Sequence, residues 1–180
     1  MWAEARRLLT SGQPALAGPR GRWAVGAGYA AFAWGLIFAL ISFYWGCGGT
    51  IGLDTVGGSI ERLAREHSAS ILVAVWVTGL LKLVGAVLAL ALVRPWGSKL
   101  PRRLVTLLGW TAAVLLTLYG GTLVAADALA VTGAIKPRTP IARVPLLWHL
   151  WVWDMSFLIW GLLFASAAWC FTRRDRGTAA

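Results

Sequence analysis

Charge is what this chain has least of. Only 13% of its 180 residues are Asp, Glu, Lys or Arg, about half the share of an ordinary water-soluble domain. Too few charges are present to coat a water-facing surface, which excludes a soluble globular protein. Acid is scarcer still, with 7 Asp and Glu against 17 Lys and Arg and a net charge of +10. In a soluble protein that balance would suggest nucleic acid. Here the basic residues sit between apolar blocks and at the ends, where membrane topology signals lie, so anionic lipid headgroups are the expected partner and nucleic acid is not. There are 2 cysteines, Cys47 and Cys170. The topology below puts them on opposite membrane faces, so no bridge can join them, and neither has metal or redox spacing. No two of Asp54, His67, Asp127, His149 and Asp154 have zinc-ligand spacing, so no metal and no cofactor is expected. Residues 1–23 lack the apolar core of a signal peptide; Arg6, Arg7, Arg20 and Arg22 stand there with Pro14 and Pro19. They read as a disordered, basic cytoplasmic arm.

Apolar residues, by contrast, make up 58% of the chain, and mean hydropathy is +0.69. They gather into four blocks, near 24–46, 70–93, 104–128 and 147–171. Each reaches the roughly 20 residues that cross a ~30 Å hydrocarbon core. Lipid offers no partner to an open strand edge, and the period-2 pattern of a barrel strand is missing, so the blocks are helices. The expected fold is all-α: a four-helix transmembrane bundle over 24–171 with an ordered Gly-rich outer loop and a basic tail at 172–180. Small residues, namely Gly26, Ala30, Gly85, Gly120, Gly121 and Gly161, should line its helix contacts. The similar strings WGLIFA at 34–39 and WGLLFA at 160–165 lie in helices of opposite direction and mark no tandem repeat.

The basic residues orient the bundle. The N-terminal arm, the second connection (Arg94, Lys99, Arg102, Arg103) and the tail (Arg173, Arg174, Arg176) outweigh the other face (Arg62, Arg65, Lys136, Arg138, Arg143). Both termini are therefore expected in the cytoplasm of a multi-pass cell-membrane protein. The tryptophans fit an interfacial belt, with Trp23, Trp96, Trp110 and Trp169 inside and Trp45, Trp148, Trp151 and Trp153 outside. In the first outer loop, SIERLAREH reads as a short amphipathic helix capped by Ser59. The third loop, with Pro137, Pro140 and Pro145, should be extended.

The polar residues inside the blocks carry the functional reading. Lys82 lies about 12 residues from either end of its helix, ~18 Å from each interface, too deep for its stem to reach water. A charge there costs at least ~2.5 kcal/mol and needs a partner, a wet cavity or loss of its proton. Asp154 is the expected partner, with Asp127 nearby; the plainer alternative is a buried pair that only fixes helix register. His149 precedes Asp154 by five residues, about 140° away around an ideal helix. A direct dyad between the two is therefore not expected. The Gly-rich run from Gly46 to Gly58 follows a helix and lacks the Lys-Ser/Thr of a phosphate-binding loop, so it reads as a tight turn carrying Asp54.

FYWGCGGTIGLDTVGG after the first block and WHLWVWDMSFLIWGLL in the fourth resemble the bacterial membrane family called domain of unknown function 3995. The matching residues are Trp45, Gly48, Gly49, Asp54, His149, Trp153 and Asp154. The resemblance covers 24–171 and implies a small four-helix membrane protein; it brings no activity or substrate. The functional reading is then a non-enzymatic membrane protein that binds or helps move a small amphiphile or ion. Its outer-half site would draw on Lys82, Asp154, Asp127, Asp54, His149 and Trp153, and transport would call for a homo-oligomer. Two alternatives stand beside it: a membrane-embedded enzyme acting on lipid or quinone, and an accessory subunit of a larger membrane complex.

Overall fold

The computed structural model describes residues 19–135 and 143–173. The arm before Pro19, the tail after Arg173 and the prolines at 137 and 140 lie outside the described residues. Within them the chain is helical, with no strand. Helix α1 (Pro19–Gly46) is followed by two short helices, α2 (Leu53–Val56) and α3 (Gly58–Arg65), and by α4 (Ala69–Val93). A 3-10 turn, Pro95–Lys99, leads to α5 (Arg102–Val131). The last span is built of α6 (Arg143–Trp148), a π turn (His149–Trp153) and α7 (Asp154–Arg173). Among the described residues four helices are long and apolar enough to cross a membrane: Arg22–Gly46, Ala69–Val93, Arg102–Val131 and Arg143–Arg173. Each extends past the apolar block that announced it. Pro19 opens α1 and Pro145 sits in the first turn of α6, where a missing N–H costs nothing. Pro145 is thus helical and not part of an extended loop.

Helix α1 packs chiefly on α4, and α5 chiefly on α7; the two hairpins meet where α1 lies against α7. A stripe of small side chains makes the first contact possible. Ala24, Gly28, Ala31, Gly35, Ala39 and Ser42 recur every three or four residues and are all buried. A Cβ on Gly28 would lie 2.4 Å from Val93 Cγ1, and one on Gly35 would lie 2.5 Å from Trp160 Cζ2. Trp160 also donates its indole N–H to the Ala31 carbonyl at 2.9 Å, which joins α7 to α1. Between α5 and α7 the backbones themselves meet. A Cβ on Gly120 would lie 2.3 Å from Leu158 N, and one on Gly161 would lie 2.5 Å from Thr117 N.

Gly85, Gly120, Gly121 and Gly161 therefore line helix contacts as expected, but Gly26 has nothing within 4 Å and Ala30 is exposed. The inward face of α1 is rotated away from both, because its small stripe lies along 24, 28 and 31. The outward faces of α4 and α5 remain apolar and uncovered, with Val73, Leu81, Val84, Leu107, Leu115 and Leu118 each more than 60% exposed. Faces of that size need lipid or another protein over them.

One end of the bundle carries α2 and α3 (the loop end); the other carries the described ends of α1 and α7 (the terminal end). At the loop end the Gly-rich segment folds back on α1. Trp45 donates to Ile51 O at 2.9 Å, and Tyr44 Oη accepts from Ile51 N at 3.2 Å. Gly49 has no room for a side chain, since a Cβ would lie 2.3 Å from the Tyr44 ring. Helix α3 starts after Gly57 with no side-chain cap, so Ser59 does not cap it. Its Glu61 pairs with Arg65 at 2.9 Å across one turn.

Candidate functional site

The loop half of the bundle gathers most of the intramembrane polar groups, and the π turn decides how they meet. Asp154 N–H bonds to His149 O, a bond spanning five residues instead of four. In that geometry residues five apart stack on one face. His149 Nδ1 accordingly lies 3.2 Å from Asp154 Oδ2. This corrects the expectation from an ideal helix, which set the two on different faces: the wider turn takes up the extra residue.

The other ring nitrogen of His149, Nε2, lies 3.0 Å from the Val56 carbonyl. A carbonyl only accepts, so Nε2 carries a proton. The close contact at Nδ1 then requires one proton between His149 and Asp154, on either atom. The pair is neutral overall in both forms. Loop and span are pressed together to permit this. Gly57, at φ 65°, passes so close to Pro145 that a Cβ would lie 2.8 Å from its Cγ. Trp153 adds a second tie, donating from Nε1 to Thr55 Oγ1 at 3.2 Å, and Thr55 in turn donates to Gly52 O at 2.6 Å.

Asp127, near the end of α5, has its carboxyl in hydrogen-bonding contact with that of Asp154 and lies within electrostatic reach of His149. Its Oδ2 is buried with no hydrogen-bond partner. His149 is the one basic group of the cluster and bonds to Asp154, so Asp127 has no counter-charge of its own.

Lys82 does not supply one. Among the described residues the ion pairs are Glu61–Arg65 and His149–Asp154, so the expected Lys82–Asp154 pair does not form. Lys82 Nζ donates to Ser42 Oγ at 2.8 Å and sits 6.0 Å over the Phe38 ring. The reason is packing. The small stripe draws α4 onto α1, and a Cβ on Gly79 would lie 3.2 Å from Ser42 Cβ. That contact brings the hydroxyl within reach one turn from Lys82. Phe38 then meets Trp153 edge-on at 5.9 Å, and Trp153 packs on Trp45 at 5.4 Å. This run of ring contacts leads from the Lys82–Ser42 contact to Trp153, the chain neighbour of Asp154. Asp54 is exposed on α2, on the segment that His149 and Trp153 grip but with no hydrogen bond into the cluster.

Ser42, Thr55 and Phe38 are the residues that sequence reasoning missed. Ser42 had a signal, as a lone small polar residue within an apolar block at helical spacing from Gly35 and Ala39. Thr55 and Phe38 had none, since a loop threonine and a helix phenylalanine are ordinary. Among the described residues no three His, Cys, Asp or Glu side chains converge with the geometry of a metal site.

A family model described as Protein of unknown function (DUF3995) matches residues 35–164. The chain belongs to this family. The matched region holds every residue of the DUF3995 chain's polar cluster, from Phe38 and Ser42 to Asp127, His149 and Asp154. No curated protein and no solved structure matches the chain.

Proposed function

We propose that this protein sits in the cell membrane with both termini in the cytoplasm and binds a small organic cation in the outer half of its bundle. Asp127 would supply the charge. One observation carries the reading: Asp127 Oδ2 is buried without a hydrogen-bond partner, and the one basic group of the cluster, His149, is bonded to Asp154. A carboxylate in that setting favours an incoming positive charge. Trp153 is the chain neighbour of Asp154 and packs on Trp45, and aromatic faces there would favour an organic cation by cation–π attraction. Lys82, held on Ser42, stays out of the way of that charge.

Both ring nitrogens of His149 are engaged, one of them by a backbone carbonyl, which weighs against its use as a general base in an enzyme. The test is a titration of purified protein in neutral detergent with benzyltrimethylammonium, followed by tryptophan fluorescence. Wild type should saturate, and Asp127→Asn should lose binding. Affinity should also fall as the solution is acidified, because a proton on Asp127 competes with the cation. Equal binding by wild type and Asp127→Asn, or no saturation by wild type, overturns the proposal.

A further inference from the structure

At the terminal end, α5 carries a groove of about 370 Å³ lined by Arg102, Arg103, Thr106, Leu107 and Trp110. Positions 103, 106, 107 and 110 fall on one helix face, so the groove runs from a basic mouth along an apolar wall. The wall is fixed. Trp110 donates from Nε1 to Thr172 Oγ1 at 3.3 Å and meets Trp169 edge-on at 6.4 Å. The mouth is partly fixed as well: Arg102 donates to Phe171 O at 3.0 Å and lies 5.1 Å over the Phe171 ring. Arg103 beside it is exposed.

We infer that this groove binds one anionic phospholipid, with the phosphate at Arg103 and an acyl chain along Leu107 and Trp110. Three observations agree on that occupant. The groove lies at the end of a span long and apolar enough to cross a membrane, at the level where headgroups lie. Its order of surfaces, guanidinium and then apolar side chains, is the order of groups in a phospholipid. The exposed Arg103 guanidinium offers the forked donors that match phosphate oxygens. A free phosphate would leave the apolar wall unused, and a zwitterionic headgroup would bring its own cation against Arg103.

The test uses the full chain in neutral detergent, with equal amounts of phosphatidylglycerol and phosphatidylcholine of identical chains, read by native mass spectrometry. Wild type should retain one phosphatidylglycerol in preference to phosphatidylcholine. Arg103→Gln should retain it about fivefold less well, the effect of one basic residue near a membrane surface. Arg103→Lys should recover most of the loss, and Arg62→Gln at the opposite end should change nothing. Equal retention of both lipids by wild type, or wild-type retention by Arg103→Gln, overturns the inference. Displacement of phosphatidylglycerol by millimolar inorganic phosphate assigns the groove to free phosphate and overturns it too.

Discussion

His149 and Asp154, five residues apart in one span, touch through Nδ1 and Oδ2 at 3.2 Å because a π turn lies between them. The same histidine reaches Val56 in the loop, so a single side chain ties the acidic cluster to the cover above it. The three contacts depend on one another. Without the π turn the dyad opens, and without Gly57 against Pro145 the Val56 carbonyl moves out of reach.

His149→Ala should therefore destabilise the protein, taking from the Asp154 carboxyl its imidazole partner and from the Val56 carbonyl its side-chain donor. Each such group costs about 1–3 kcal/mol. Thermal unfolding in detergent should show a lower midpoint, with faster hydrogen exchange in α2 than in wild type. An unchanged midpoint would mean that the loop is held by Trp153 and Thr55 alone.

The α5–α7 crossing should tolerate no added side-chain bulk. Gly120→Ala and Gly161→Ala each push a methyl against facing backbone, which no side-chain rotation can relieve. Overpacking of this kind costs about 1–3 kcal/mol. Gly26→Ala, with open space around it, should be neutral or stabilising by up to ~1 kcal/mol through helix propensity. Comparing the three unfolding midpoints checks the ranking.

Lys82→Met should be tolerated. It removes a desolvated amine whose hydrogen bond goes to Ser42 Oγ, and that hydroxyl keeps its own bond to Phe38 O at 3.1 Å. Replacing a buried charge by an apolar side chain of similar length is often neutral or stabilising. Benzyltrimethylammonium binding should be kept or strengthened in the variant, since a positive charge over Phe38 is gone. Loss of both stability and binding would make Lys82 part of the site.

Orientation can be read from the two cysteines. Cys47 is exposed at the loop end. A membrane-impermeant maleimide applied to intact cells should label the Cys170→Ala variant through Cys47, and lysis should add little. Labelling only after lysis would invert the proposed topology.

The sequence by itself determined the number of apolar spans, their helical state and where Lys82, Asp127 and Asp154 fall along them. Each is a local property: about 20 apolar residues in a row, and a count of residues from the ends of that run. It also marked the glycines at the α5–α7 crossing, because close helix contact in an apolar setting favours the smallest side chains. It could not decide which way each helix faces. Core and lipid are both apolar, so no polar stripe distinguishes an outward face from an inward one. That rotation, set by the stripe from Ala24 to Ser42, gave Lys82 to Ser42 instead of Asp154. The π turn is a tertiary decision of the same kind. Nothing in WHLWVWD departs from an ordinary helix; the turn is in register with loop contacts more than ninety residues away in the chain, from His149 to Val56 and from Trp153 to Thr55.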